Sequence, residues 1–438
     1  MASWGAFPLP ELTGYGSIAV TPRGPRFYQE WTATMKPAAS YARSRWVLVA
    51  AALAAVTGVA LTGPALASAA RPAAGVALTD ELTAGQVGSR ASVPWRSVGP
   101  GWVLAVYSAS SGGDGVPVKA GADTLYLVDP AGGRYTMATW PRHSAETSWS
   151  LQAWSGDSKR ALFTAGGFGA RPEQVHQLNL RTGKFASFLL PANVAVIGYT
   201  RPDGLNILAT RGTPNSLRSK LRLLRYNLRG TLQRTLATVQ DLGQVAYQPA
   251  GSELAAGSLR GLELISNAGG VIRALPVPGA RNGCSPVRWW NTGTILASCV
   301  TRVHLTPRLW LVPARGSAPR ALTPDRGGAG GFDFGDFNAW QLSSGLYVNG
   351  DGACGTVVIG KQPAHGKEIF VSVPGSASSL IVTATRSRLL VERINGCSPG
   401  VSLAWFNPAS RAIKVAVPVH GHQFGVIAAV PYFVTGKY

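Results

Sequence analysis

One polar turn recurs along this chain at steps of 40 to 50 residues. It runs Asp129–Gly133, Asn179–Gly183, Asn227–Gly230, Asn267–Gly270, Ala314–Gly316, Pro363–Gly366 and Asn407–Ser410. Each copy follows an apolar or alternating stretch: LYLV, VHQLNL, LRLLRYNL, LELIS, LWLV, TVVIG and VSLAWF. Asn, Asp, Gly and Pro supply the backbone angles that tight hairpins need, and alternation with period two marks strands. A unit that repeats at this spacing buries its apolar face only by stacking on its neighbours.

Trp149–Pro191 is the clearest copy. WSLQAW is an aromatic-ended strand, SGDSK a turn and RALFTAG a small-residue strand; after a Gly-rich loop, EQVHQLNL, RTGK and FASFLLP complete two more strands and their turn. The first hairpin recurs as VAVIGY/NILAT, QVAYQ/ELAAG, PVRWW/TILAS, FNAWQL/GLYVN and LIVTAT/RLLVER. Four antiparallel strands per repeat predict an all-β fold, a β-propeller of about seven four-stranded blades. Gly 53 and Pro 30, with only 14% charged residues, suit many short strands and turns. At the N-terminal end WVLAVYSA (Trp102–Ala109) has only the short SVPWRS as a candidate partner, while QFGVIAAVPY (Gln423–Tyr432) is a first strand with no second strand after it. The C-terminal strand is therefore expected to complete the N-terminal blade and remove an open edge.

The turn sequences carry a resemblance. WSGDSKRALF (Trp154–Phe163) and YTRPDGLNIL (Tyr199–Leu208), with weaker copies at Tyr247–Gly251 and Trp290–Gly293, resemble the TolB-type and WD-repeat-like secreted propellers. Pro202-Asp203-Gly204 matches the family turn in full. The resemblance spans Val93 to Tyr432 and implies a fold and an extracytoplasmic binding platform. A TolB-type α/β domain ahead of the propeller finds no room in Ala70–Ser92.

Ahead of the repeats, RSR followed by the apolar run Trp46–Gly63, a Gly63-Pro64 break and small residues near Ala65–Ala69 reads as a secretory signal peptide. An uncleaved membrane anchor is the alternative, because the run approaches spanning length. The expected organisation is an over-long, unstructured start at 1–34, the signal at 35–69, a linker at 70–92 and the propeller at 93–438. The expected location is extracytoplasmic, secreted or associated with the cell envelope, and the expected state is a monomer.

Four cysteines in an exported chain predict disulfides. Cys284 and Cys299 flank the Asn291-Thr292-Gly293 turn symmetrically, opposite each other across one hairpin. Cys354 and Cys397 occupy the same loop of adjacent blades; since NGCSP occurs at both Asn282–Pro286 and Asn395–Pro399, other pairings stay open. The strand order places all four at one face of the ring. No Cys-x-x-Cys pair points to zinc.

Asp333, Asp336 and Asp351 fall at that same face and could hold calcium, although their spacing matches no defined calcium loop and strand-end aspartates need no ion. No cofactor is otherwise implied. His420 and His422 read as a solvated loop before the last strand, with a ligand or catalytic pair as the alternative; His143, His176, His304 and His365 are scattered.

Basic side chains outnumber acidic ones 41 to 20. Codon usage of a high-GC genome accounts for such an excess, and attraction to an anionic envelope polymer or lipid surface is its functional counterpart. The densest basic stretch is Arg211–Arg234, where Arg218, Lys220 and Arg222 alternate with leucines and project as a stripe. A solvated strand face also accounts for that pattern. The export signal disfavours nucleic acid as a partner. The chain has no Gly-x-Ser-x-Gly elbow, and its acidic residues are spread thinly. Both observations favour a scaffold binding an envelope protein or polymer. A hydrolase or lyase acting on glycan or peptide at the channel mouth is the competing reading.

Overall fold

The recurrent turn closes by the same local chemistry in four of its five Asx-led copies; in the fifth, Asn267 Oδ1 accepts from Arg225 instead and Ser266 Oγ takes the Ala268 N–H. Asn179 Oδ1 accepts from the backbone N–H groups of Arg181 and Thr182 at 3.0 Å each, and Gly183 supplies a φ of +72°. Asn227 Oδ1 accepts from Arg229 and Thr231, Asn407 Oδ1 from Ala409, and Asp129 Oδ1 from Gly132 and Gly133. The carboxamide or carboxylate replaces the strand ladder where the chain reverses.

A computed structural model of the chain describes residues 82–113, 116–142, 149–165, 171–212, 219–241, 245–301, 306–325, 335–351, 356–394 and 400–432. Among them are seven successive four-stranded antiparallel blades. Blade 1 combines Gln423–Pro431 with Val103–Gly113, Ala122–Val128 and Arg134–Pro141. Blade 2 is Ser150–Trp154, Arg160–Ala165, Glu173–Asn179 and Phe185–Leu190. Blade 3 is Val194–Tyr199, Asn206–Arg211, Lys220–Asn227 and Leu232–Gln240. Blade 4 is Ala246–Tyr247, Glu253–Ser258, Gly261–Ser266 and Val271–Pro276. Blade 5 is Ala280–Asn291, Thr294–Thr301, Pro307–Pro313 and Arg320–Ala321. Blade 6 is Asp336–Leu342, Gly345–Asp351, Val357–Gln362 and Ile369–Phe370, and blade 7 is Ser378–Ala384, Leu389–Ile394, Val401–Phe406 and Ile413–Val417.

The core lies between blades rather than within them. Seven buried clusters each join two neighbours, and together they run round the ring. Trp154 packs toward blade 1 and its neighbour Ala153 toward blade 3. Trp289 faces blade 4, while Trp290 faces blade 6. This alternation is the period-two pattern of a strand buried on both sides. The seventh cluster joins Leu403 and Trp405 of blade 7 to Val103, Ala105 and Val426 of blade 1.

Closure follows the sequence expectation. Gln423–Pro431 runs antiparallel to Val103–Gly113, in register from Val103↔Pro431 to Ser111↔Gln423. The backbone N–H of Tyr432 donates to Trp102 O at 2.7 Å. SVPWRS is not the missing partner; it folds as turns, with Trp95 N–H on Val93 O and Ser97 N–H on Pro94 O. Its proline removes a donor that a ladder would use. Val87–Ser89, upstream of the first repeat, instead adds a fifth, parallel strand outside Arg134–Thr136. It covers the outer edge of blade 1.

Among the described residues no helix is long and apolar enough to cross a membrane; the apolar run 46–63 lies outside them.

Candidate functional site

Each blade puts its first and third turns on one face of the ring and its second turn on the other. The ends of the innermost strands fix the assignment of the predicted residues. Cys284 lies at the start of an innermost strand and Cys299 at the end of the next, directly opposite in register. They form a disulfide with a Cα–Cα distance of 4.1 Å, and both are buried. Ser258 of blade 4 pairs with Cys284, so the bridge sits where two blades meet. Cys354 and Cys397 lie outside the described residues.

Of the three carboxylates that could hold calcium, two lie among the described residues. Asp336 pairs with Gly350, adjacent to Asp351, whose N–H donates to Gly335 O at 3.0 Å. The two thus lie at one end of blade 6. Asp336 is buried and Asp351 exposed, and Asp333 lies outside the described residues. Among the described residues no three His, Cys, Asp or Glu side chains are grouped to hold a metal ion. His420 and His422 are exposed, and both use backbone carbonyls: His420 O accepts from Gln423 N–H and His422 O from Gly112 N–H. They shape the turn that launches the closing strand.

On blade 3, Lys220 and Arg222 are exposed on one sheet face, as their alternation predicts, and Arg218 lies outside the described residues. Sequence reading did not single out the neighbour across the ladder. Arg211 is the direct register partner of Arg222 and is also exposed. Directly paired residues of antiparallel strands point to the same side, so the two arginine side chains leave the sheet on one face. The signal was present in the Arg211–Arg234 count, but pairing Arg211 with Arg222 requires the register.

The opposite face carries features that sequence reading left out. The first turns of blades 2, 3 and 4 pack against one another through glycines. A Cβ on Gly156 would stand 1.8 Å from Pro202 O, and one on Gly251 would stand 2.1 Å from Arg201 O. Tyr432 Oη donates to Gly156 O at 2.7 Å, latching the end of the closing strand to the same turn. Trp154 meets Tyr432 edge to face, with centroids 4.9 Å apart. Beneath these turns Trp154, Tyr199, Arg201 and Tyr247 line a cavity of about 30 Å³. Burial lowers the Arg201 pKa to about 9 and raises that of Tyr247 well above the usual phenol range.

A second, open groove of about 560 Å³ lies between the added strand and blade 2, lined by Ser89, Arg90 and Arg181. Both cations there have contacts: Arg90 Nη1 donates to Met137 O at 3.1 Å, and Arg181 stacks over Trp95.

Two further groups are electrostatically unusual. Glu173, at the start of the third strand of blade 2, accepts from Val196 N–H of blade 3 at 3.1 Å, and burial pushes its carboxyl up to about 7. His176 is buried against Trp149, with its Nδ1 2.7 Å from Ser187 Oγ; burial lowers its pKa, which favours the neutral ring. It belongs to an aromatic cluster with Trp140, Phe163 and Phe185 at the junction of blades 1 and 2.

No protein-family model and no curated protein matches the chain. Solved structures match it at low identity. A prolyl endopeptidase aligns at 13% identity and TM-score 0.46, covering 73% of this chain, which spans half the length of that enzyme. TolB from Acinetobacter baumannii aligns at 12% identity and TM-score 0.40, covering 77% of this chain and 67% of TolB. The β-propeller domain of the Trilobed protease from Pyrococcus furiosus aligns at 10% identity and TM-score 0.45, covering 73% of this chain and 95% of that domain. The chain is a β-propeller that resembles TolB and the prolyl oligopeptidase propellers at the level of the fold alone.

Proposed function

We propose that this propeller is an extracytoplasmic binding scaffold at the cell envelope, and that blade 3 docks it on an anionic envelope polymer. The observation that carries this reading is the exposed pairing of Arg211 with Arg222, with Lys220 two residues away on the same strand. Like charges directly opposite each other destabilise a sheet, and a polyanion laid across them turns that repulsion into attraction. None of the ion pairs recorded among the described residues uses Arg211, Lys220 or Arg222. The net charge of +21 over the full sequence favours the same class of partner. The signal-like segment at 35–69 supports the location.

The test is co-sedimentation of the oxidised protein with a polyglycerol-phosphate cell-wall polymer at low and high salt. Each cation near an anionic surface contributes about 1 kcal/mol, so replacing Arg211, Lys220 and Arg222 together by Ala should weaken binding roughly 100-fold. The salt dependence should flatten as well. Equal binding by the triple variant would refute the docking surface, and a complex that persists unchanged in high salt would point to a protein partner on another face.

A further inference from the structure

The open groove between the added strand and blade 2 brings two arginines together from opposite sides. Arg90 comes from the short turn that follows Val87–Ser89, and Arg181 from the third turn of blade 2. Arg90 reaches across the gap. Its Nη1 donates to Met137 O of blade 1 at 3.1 Å, and a Cβ on Gly183 of blade 2 would stand 1.7 Å from that same nitrogen. With φ +72° and no side chain, Gly183 leaves the space that Arg90 enters. The Arg90 guanidinium therefore lies against the very turn that carries Arg181.

Neither cation has an acidic partner among the described residues, and no acidic residue lines the groove. Arg181 is exposed and lies over Trp95, a contact that leaves its charge unneutralised. Arg90 is half-buried and commits a single side-chain nitrogen, Nη1, to a carbonyl. Ser89 and Thr136 add hydroxyls to the same walls. They are direct partners in the parallel ladder, so their side chains leave the sheet on one side, and neither hydroxyl has a hydrogen-bond partner among the described residues. We propose that the groove binds a phosphorylated sugar, with the phosphate held between Arg90 and Arg181 and the sugar hydroxyls on Ser89 and Thr136.

Charge and size select the ligand. Two guanidinium groups match the charge of a phosphomonoester, and each presents a planar fork of N–H donors that fits two phosphate oxygens. A carboxylate carries a single charge and satisfies one fork only. The volume of about 560 Å³ lies in the range of small-molecule sites and leaves room for an organic part beyond the phosphate. Ala91 and Met137 supply apolar wall, which suits the C–H face of a sugar ring while its edge meets the hydroxyls. The groove belongs to blades 1 and 2, so it stands or falls separately from the Arg211–Arg222 pair of blade 3.

The site is tested by titration calorimetry of the oxidised full-length protein with glucose 1-phosphate, inorganic phosphate and glucuronate at constant ionic strength. Saturable binding is expected, tightest for glucose 1-phosphate and weakest for glucuronate. Arg181→Gln removes a charge from an exposed position and should raise the Kd of both phosphates at least tenfold with Tm unchanged; Arg90→Gln should raise both as well. Thr136→Val keeps the branched shape and should weaken glucose 1-phosphate while sparing inorganic phosphate. The Lys220→Ala/Arg222→Ala variant should bind all three as the wild type does. No binding of either phosphate, or a Kd that neither arginine substitution moves, would overturn the site. Glucuronate binding as tightly as glucose 1-phosphate would overturn the choice of phosphate, and a Thr136→Val effect equal on both phosphates would overturn the choice of a sugar.

Discussion

Removing residues 423–438 should unfold the ring rather than fray one blade. The strand carries Val426 and Val430, which are 2% and 4% exposed and sit in two different inter-blade clusters. Each is worth about 1.5–3 kcal/mol on burial, so the pair accounts for roughly 3–6 kcal/mol. Its loss also uncovers one edge of Val103–Val106, four residues with no exposed surface, and breaks the Tyr432 contacts with Trp102 and Gly156. Against a domain stability of about 5–15 kcal/mol, that is most of the margin. A thermal melt followed by circular dichroism should show Tm falling by at least about 4–8 degrees from the valines alone, at roughly 1.4 degrees per kcal/mol for a ring of this size. Hydrogen exchange should speed up in blades 2 and 7 as well as in blade 1, because both pack on the closing strand or its partner. Gly425→Ala is the point version of the experiment. Gly425 has φ +70°, and a Cβ there would stand 2.2 Å from Val401 O of blade 7. The backbone strain alone costs about 1–2 kcal/mol. An unchanged Tm in the truncated protein, or faster exchange confined to blade 1, would refute closure as the source of stability.

Reducing Cys284–Cys299 releases a loop with sequence separation 15, worth about 3 kcal/mol in the chain-entropy model, so Tm should drop on adding reductant and the Cys284→Ala/Cys299→Ala variant should no longer respond. Glu173 has its pKa raised from 4.5 to about 7, so the stability contributed by its protonated form is full below pH 4.5 and lost as pH rises through 7. That gap corresponds to at most about 3 kcal/mol, and Glu173→Gln should gain on wild type in urea melts at pH 8 but match it near pH 4.5. Arg288, 1% exposed, donates to Asn338 Oδ1 and Ala339 O while lying over Trp340. Arg288→Met should cost about 3 kcal/mol through the two acceptors it abandons, read as a fall in the urea midpoint; an unchanged midpoint would show that those bonds contribute nothing net.

The blades were legible because their turns are local chemistry. Asn179 or Asn227 closes its hairpin with its own side chain, so the residues that make the turn are also the residues that announce it. Closure could be read from strand arithmetic, since one strand was missing at one end and one was spare at the other. Val87–Ser89 escaped because a three-residue edge strand has no periodicity to detect; it exists only where Arg134–Thr136 offers an open ladder. SVPWRS, apolar enough to be a candidate strand, is committed to turns instead. The stripe on blade 3 was half visible, because alternation places Lys220 and Arg222 on one face while only register sets Arg211 beside them.

By itself, then, the sequence determined the repeating strand-and-turn unit, its sevenfold recurrence and the pairing of its two ends, because all of these depend on neighbours within a few residues or on counting. Tertiary structure alone decided which side chains meet across blades. Trp154, Arg201, Tyr247 and Val430 line one cavity from four separate strands or turns, and no spacing along the chain encodes that meeting. Packing between blades brings them together, because each sheet buries both of its faces only against its neighbours.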